Sequence, residues 1–287
     1  MRAKETTVGS ARCLVCCLLS RLFAAPLARA RYARVKASAK ERATAKLASI
    51  ATMSRSVKLY YDLMSQPSRA LYIFLSTNKI PFDRCPIALR KMQHKTDEYR
   101  RQVNRYGKVP CIVDGSFRLA ESVAIYRYLC REFPTDGHWY PSDTVRQARV
   151  DEYLSWQHLN LRADVSLYFF HVWLNPLLGK EPDAGKTERL RRRLDGVLNF
   201  FDQELLSGGS GQAFLAGDRI SIADLSAACE IEQAKIAGYD PCEGRPALAS
   251  WLTAVRERTN PFYDEAHKYV YRLAPDNIVT PVVAIDE

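Results

Sequence analysis

Around residues 137–143 this chain changes its pattern. Before that point, short runs of alternating apolar and polar residues are divided by turn residues and by two amphipathic stretches. Beyond it only long helical periodicities occur, with no convincing strand. The division predicts an α/β unit over residues 54–137 and an all-helical unit over 143–273. A basic extension, 1–53, precedes them and a tail, 274–287, follows.

Length and charge narrow the function classes. At 287 residues the chain can bury a sizeable core, and no apolar run reaches the roughly 20 residues of a membrane span. The formal charge of +10 suggests nucleic acid at first sight. Eleven of the 42 Lys and Arg residues lie in 1–53 against two of the 32 acidic ones, so the rest carries 31 basic and 30 acidic side chains. A nearly neutral body gives no electrostatic case for nucleic-acid binding. The extension is rich in Arg, Ala and Leu, which fits a mitochondrial transit segment; a body without it, starting at Met53, is expected in the cytoplasm. Cys13, Cys16 and Cys17 fall in the extension. Cys85, Cys111, Cys130, Cys229 and Cys242 are scattered, without paired spacing or neighbouring His, so they read as free thiols with no metal site.

Within the α/β unit, 57–61 reads as a strand with Val57, Leu59 and Tyr61 on one face. Pro67 opens a helix, since a proline loses nothing at the first turn. Ser65 therefore stands just before a helix N-terminus, beside unpaired N–H groups that favour an anion. A favoured capping serine is the plainer reading of the same residue. A second strand, 82–87, parallel to the first, and an irregular, partly helical connection over 90–105 follow. Residues 108–113 form a strand, Asp114-Gly115 a hairpin turn, and 117–119 its return. Pro110 at the head of a pairing strand is odd, because it cannot donate to the ladder; it belongs at an edge, a bulge or a cis turn. Glu121-Ser122 opens the next helix. The order is βαβ then ββα.

In the helical unit, one helix is expected over 145–175, broken at Pro176, and another over 187–206 with Leu190, Leu194, Val197, Leu198, Phe201 and Leu205 on its apolar face. Arg191, Arg192 and Arg193 read as a solvated face, and 207–211 as a flexible loop. Ser221 and Asp224 match a capping box, with Ile220 and Leu225 at the positions of a hydrophobic staple.

The Ser65 loop, Lys108-Val109-Pro110 and Glu121-Ser122, with the βαβ-ββα order and the Ser221/Asp224 box, together resemble the glutathione S-transferase superfamily over residues 56–273. The run Asp62-Leu63-Met64-Ser65-Gln66-Pro67-Ser68-Arg69-Ala70, the pair Gln93-His94 and the segment from Val150 to His158 look most like its theta class. The resemblance implies a thioredoxin-like N-terminal domain, a helical C-terminal domain contributing the electrophile site, and a homodimer. It further implies that Ser65 donates a hydrogen bond to the glutathione sulfur and stabilises its thiolate. Tyr60 and Tyr61 occupy the place of the tyrosine that other classes use. Val109-Pro110 matches the family's cis peptide beside the cysteinyl segment, Glu121 and Ser122 match the pair holding the γ-glutamyl end, and His94 and Lys108 match positions near the glycyl carboxylate. Arg162 adds a charge at the site. The partners implied are glutathione, as co-substrate, and a small electrophile: an alkyl halide, an epoxide or an activated alkene, with hydroperoxide reduction as a side activity. No metal is implied. The tail is short for the family's covering segment. The rival function is a non-catalytic module of the same fold, used for ligand carriage or assembly.

Overall fold

The computed structural model describes residues 55–207, 212–276 and 278. The extension 1–53, most of the 207–211 loop and most of the tail lie outside the described residues.

The first unit is built on a four-stranded mixed sheet of order β2-β1-β3-β4. Strand β1 (Val57–Tyr61) pairs in parallel with β2 (Phe82–Pro86) and antiparallel with β3 (Cys111–Asp114), which continues into β4 (Phe117–Ala120). Val57, Leu59 and Tyr61 are buried, as their alternation requires. Helix α1 (Gln66–Thr77) provides the crossover between the parallel strands, and every residue from Ser68 to Leu75 is buried. That all-round burial has a cause: α1 packs also against two helices of the second unit, described below. The 90–105 connection is two 3₁₀ turns followed by α2 (Asp97–Gln102), and α3 (Ser122–Glu132) closes the unit.

The expected single helix over 145–175 is instead two. Helix α4 (Thr144–Trp156) ends, and α5 (Leu161–Phe169) begins after a bend at Asn160, whose backbone leaves the helical region (φ −115°, ψ −97°). The Asn160 side-chain amide donates to the Trp156 carbonyl at 2.7 Å, taking over a helix-end acceptor. The bend lets Gln157 and Leu161 both point inward. Periodicity alone does not reveal such a break, because both segments share a period and no Gly or Pro marks the join. A π-helical turn, Phe170–Leu174, extends α5, and Pro176 sits in a last short turn, Asn175–Leu177, without stopping the chain at its own position.

Helix α6 (Ala184–Phe200) buries Leu190, Leu194, Val197 and Leu198, and its extension buries Phe201. Arg192 pairs with Glu188 one turn away, while Arg193 reaches Asp164 on α5 at 2.6 Å, so that face is partly tied down. Helix α7 (Ile222–Glu232) is buried along its whole length and forms the centre of the second unit. Its capping box is formed: Asp224 accepts from the Ser221 N–H at 2.9 Å, and the Ser221 hydroxyl accepts from the Ala223 N–H at 3.2 Å. Ile220 and Leu225 are both buried, as the staple requires. Helices α8 (Pro246–Thr259) and α9 (Phe262–Leu273) complete the unit, and α1 packs on α7 and α9. All five described cysteines are free thiols.

His267 on α9 is fully buried between the rings of Tyr263 and Tyr271, with Nδ1 2.8 Å from the Tyr263 carbonyl and Nε2 without a hydrogen-bond partner among the described residues. Burial first, then the nearby Arg69, holds its pKa well below the ordinary histidine value. The unfolded chain therefore takes up a proton on acidification that the fold refuses. This contribution is intact above the ordinary histidine pKa, and stability is lost as pH falls through it, by up to about 1.4 kcal/mol per pH unit. Urea unfolding between pH 7.5 and 5.5 should show that slope reduced in His267→Phe; an identical slope in both proteins refutes the assignment.

Candidate active site

Register brings three distant segments to one end of the sheet. Tyr60 pairs with Cys111, and Cys111 pairs with Ala120. The loop leaving β1, the Val109-Pro110 peptide entering β3 and the Glu121-Ser122 pair leaving β4 are therefore neighbours, spanning about 10 Å across adjacent strands. The Val109-Pro110 bond is cis. This accounts for the odd proline: it precedes the first paired residue and takes no ladder bond away. The exit of β2 joins the same end, where the Ile87 N–H donates to the Tyr61 carbonyl at 2.7 Å.

The Ser65 loop is held by Asp62 and Arg69. One Asp62 carboxylate oxygen accepts from the Met64 N–H and the other from the Leu89 N–H, both at 2.9 Å, tying this loop to the β2 exit. The Ser65 N–H donates to the Asp62 carbonyl at 2.9 Å, and the Ser65 carbonyl takes the Arg69 N–H at 3.0 Å as the first bond of α1. Ser65 stands at the N-cap, yet its hydroxyl makes no capping bond. That hydroxyl stands at the positive end of a helix that Pro67 starts. The two tyrosines are engaged elsewhere. Tyr61 stacks on Tyr72 with centroids 5.7 Å apart and burial raises its pKa, while Tyr60 meets Tyr99 edge-on at 6.5 Å.

Glu121 has φ +67°, a strained value for a residue with a side chain, and is exposed. Ser122, buried, follows it in the first turn of α3. The strand-entry loop is braced from behind: the Lys108 carbonyl accepts from the Tyr99 hydroxyl at 2.9 Å and the Asn104 amide at 2.7 Å, and Lys95 Nζ donates to the Gly107 carbonyl at 2.9 Å. The Lys108 side chain is left exposed. His94 Nδ1 has no partner among the described residues, and burial, with Lys95 and Arg100 nearby, lowers its pKa, so the ring is mostly neutral near pH 7. Arg162 lies further back: Nε binds the buried Glu230 at 2.7 Å, and Nη1 lies 3.3 Å from His158 Nδ1. His158 is in turn within electrostatic reach of Glu121.

The aromatic residues between Tyr168 and Trp173, on α5 and its π-helical turn, divide. Tyr168 packs inward on Tyr239, whereas Phe169 clusters with Ile236 and Val270, and Trp173, Leu174, Tyr271 and Met64, the residue next to Ser65, pack against that cluster. Phe169 and Trp173 stack at 5.2 Å with their planes 21° apart. An apolar, partly aromatic wall thus adjoins the serine. Sequence reasoning missed Asp62, Asn104 and Arg69 as supports. An Asx-type spacing, Asp62 to Met64, was a readable signal for the first; two of the partners of Arg69, Cys229 and Gln233, lie 160 and 164 residues away and left none. No group of His, Cys, Asp or Glu among the described residues could hold a metal ion, and no described helix is long and apolar enough to cross a membrane.

Comparison with known proteins agrees with this geometry. The glutathione S-transferase N-terminal domain family matches residues 55–131 and the C-terminal domain family residues 162–259. Glutathione S-transferase theta-3 of Mus musculus is 43% identical over 218 residues, covering 75% of this chain and 89% of that protein. The structure of human glutathione S-transferase T1-1 in its apo form superposes with a TM-score of 0.72 at 39% identity, over 77% of this chain and 94% of that one. Human glutathione transferase theta-2 in complex with glutathione and an unknown ligand gives 0.71 at 40% identity, over 75% and 87%. With the mixed sheet, the helical second unit and the cis peptide in place, the chain belongs to the glutathione S-transferase family, as an enzyme of its theta class with glutathione as co-substrate.

Proposed function

We propose that glutathione lies across the end of the sheet with its sulfur at the Ser65 hydroxyl. Its cysteinyl backbone pairs with Val109 ahead of Pro110, as a further short strand. Its γ-glutamyl ammonium meets the Glu121 carboxylate, and its α-carboxylate meets Ser122 at the N-terminus of α3, where N–H groups and the helix dipole favour an anion. Lys108 supplies a charge for the glycyl carboxylate and His94 an N–H donor. Arg162 acts on the γ-glutamyl end from behind, through His158. The observation that carries the reading is the register Tyr60–Cys111–Ala120, which collects these segments at one place.

A serine hydroxyl is too weak an acid to serve as the base, so the thiol proton leaves to solvent and Ser65 donates to the resulting thiolate. The thiolate then attacks the electrophile, forming a C–S bond as halide departs or an epoxide or alkene opens. With a hydroperoxide it attacks the terminal oxygen: the O–O bond breaks, the alkoxide leaves and is protonated to the alcohol, and the glutathione sulfenic acid so formed reacts with a second glutathione to give the disulfide and water. The wall of Met64, Phe169, Trp173 and Tyr271 shelters the electrophile. Homodimers are expected in sedimentation velocity. The body is assigned to the cytoplasm, or to mitochondria where 1–53 acts as a transit segment; full-length and Met53-initiated fusions should then differ in location.

Thiolate absorbance of bound glutathione, followed against pH, tests the chemistry. A titration midpoint well below that of free glutathione supports it; a midpoint equal to the free one, or no binding, removes it. A narrower test concerns Glu121. Glu121→Gln should raise KM for glutathione about tenfold, the loss of one charge-assisted contact, with kcat nearly kept and Tm unchanged. Steady-state kinetics with unchanged KM would take Glu121 out of the site.

A further inference from the structure

Arg69 stands one helical turn beyond Ser65 on α1, and its side chain is entirely enclosed. Nη1 donates to the Leu63 carbonyl in the Ser65 loop at 2.9 Å; Nη2 donates to the Cys229 carbonyl at 2.9 Å and to Gln233 Oε1 at 2.7 Å. All three acceptors are neutral. The carboxylates nearby on α7, Glu230 and Glu232, each have a cation of their own, Arg162 at 2.7 Å and Lys235 at 2.9 Å. From α9, Tyr263 and His267 face the same space, and burial keeps both uncharged, as it does the Cys229 thiol. A guanidinium stays protonated even when burial lowers its pKa. Three cations and two carboxylates thus leave one net positive charge, out of water, beside the loop that carries Ser65.

The geometry points to Arg69 as a positioning cation for the transferase reaction: it clamps the Ser65 loop to α7 and its field favours the anionic form of the glutathione sulfur. This rests on the reading of Ser65 as the thiolate donor. Burial is what gives such a charge reach. At an effective dielectric near 20 and about 10 Å, one charge changes a bound thiol's pKa by about one pH unit, where a surface arginine would be screened by water and salt.

Gln233 separates the field from the clamp. Its Nε2 has no hydrogen-bond partner among the described residues, so Gln233→Glu keeps the oxygen that accepts from Arg69, breaks no bond, and cancels the charge. Gln233→Leu removes the bond and leaves the charge. Thiolate absorbance of bound glutathione is the readout, on the full chain, with wild type and Ser65→Ala as references. Gln233→Glu is expected to raise the midpoint by about one pH unit, with KM for glutathione within about twofold of wild type; Gln233→Leu should leave the midpoint in place. A Gln233→Glu protein that titrates as wild type does, or a Gln233→Leu protein that moves as far, overturns the role of the charge while leaving Ser65 standing. A wild-type midpoint equal to that of free glutathione overturns both readings. If Gln233→Glu does not fold, Arg69→Met, which keeps the bulk and removes the charge, carries the same expected rise, and a wild-type midpoint in it overturns the proposal.

Discussion

Ser65→Ala is expected to bind glutathione nearly as well as wild type and to lose kcat/KM ten- to a hundredfold, with the bound thiol titrating about one to two pH units above the wild-type midpoint. The size follows from the bond removed. A hydrogen bond to a charged partner contributes about 1.5–3 kcal/mol, and each 1.36 kcal/mol is tenfold in rate or one pH unit in acidity. The affinity should survive, because Glu121, Ser122, Lys108 and the Val109 backbone hold the rest of the tripeptide. The helix N-terminus and Arg69 also remain, so a residual lowering of the thiol pKa is expected in the variant. Stopped-flow conjugation with a small aryl or alkyl halide, together with thiolate absorbance, measures both quantities. A variant with wild-type titration and wild-type kcat/KM would transfer the role to another donor. The tyrosines are poor candidates for it, since Tyr61 is packed into the core on Tyr72 and Tyr60 is packed on Tyr99.

The largest loss of stability is expected from Asp224→Ala. This carboxylate is fully buried and takes four donors: the Ser221 N–H and hydroxyl at 2.9 and 2.8 Å, the Leu215 N–H at 2.8 Å and Trp251 Nε1 at 3.0 Å. It therefore does more than start α7. It joins that start to the 212–217 segment and to α8. Alanine removes the acceptor and leaves buried donors without partners, which together with the lost cap costs about 3–5 kcal/mol. Such a loss is a large share of the 5–15 kcal/mol by which proteins of this kind are stable. Urea or thermal unfolding at pH 7 gives the value directly. Ser221→Ala, which leaves Asp224 its Leu215 and Trp251 donors, should cost only about 1–2 kcal/mol. Equal effects for the two variants would reduce Asp224 to a simple cap. Because α7 also supplies the Cys229 carbonyl and stands beside Gln233, loosening it should weaken the hold on Arg69 and with it the Ser65 loop.

Much of the architecture was legible in the sequence, and the legible parts share a length scale. The strand at 57–61, the proline-opened helix after Ser65, the hairpin at Asp114-Gly115 and the Ser221/Asp224 box depend on residues at most four apart. Backbone sterics, turn chemistry and capping act over that distance, so a sequence window contains the whole cause. The thioredoxin-like order of strands followed from these elements, and three segments carrying Ser65, Pro110 and Glu121-Ser122 could be named in advance. Their convergence follows from the pairing Tyr60–Cys111–Ala120, a register that the order of elements does not fix and that the resemblance alone implied in advance.

Other features were decided only when the chain packed. At the Asn160 bend Gln157 and Leu161 are both enclosed. Arg162, whose charge was expected at the site, spends it on Glu230, 68 residues further along the chain. The wall beside Ser65 draws Met64 from a loop, Phe169 and Trp173 from α5 and its π-helical turn, and Tyr271 from α9. Arg69 looked like an ordinary residue of a helical motif until the Cys229 carbonyl on α7 and Gln233 just beyond it appeared among its acceptors. These are contacts between side chains far apart in sequence, chosen by burial and by the need of each enclosed polar group for a partner. Local chemistry determined where most elements of this protein begin and end, the break at Asn160 excepted; only close packing of two units decided which of their charges face each other, and so what field the serine works in.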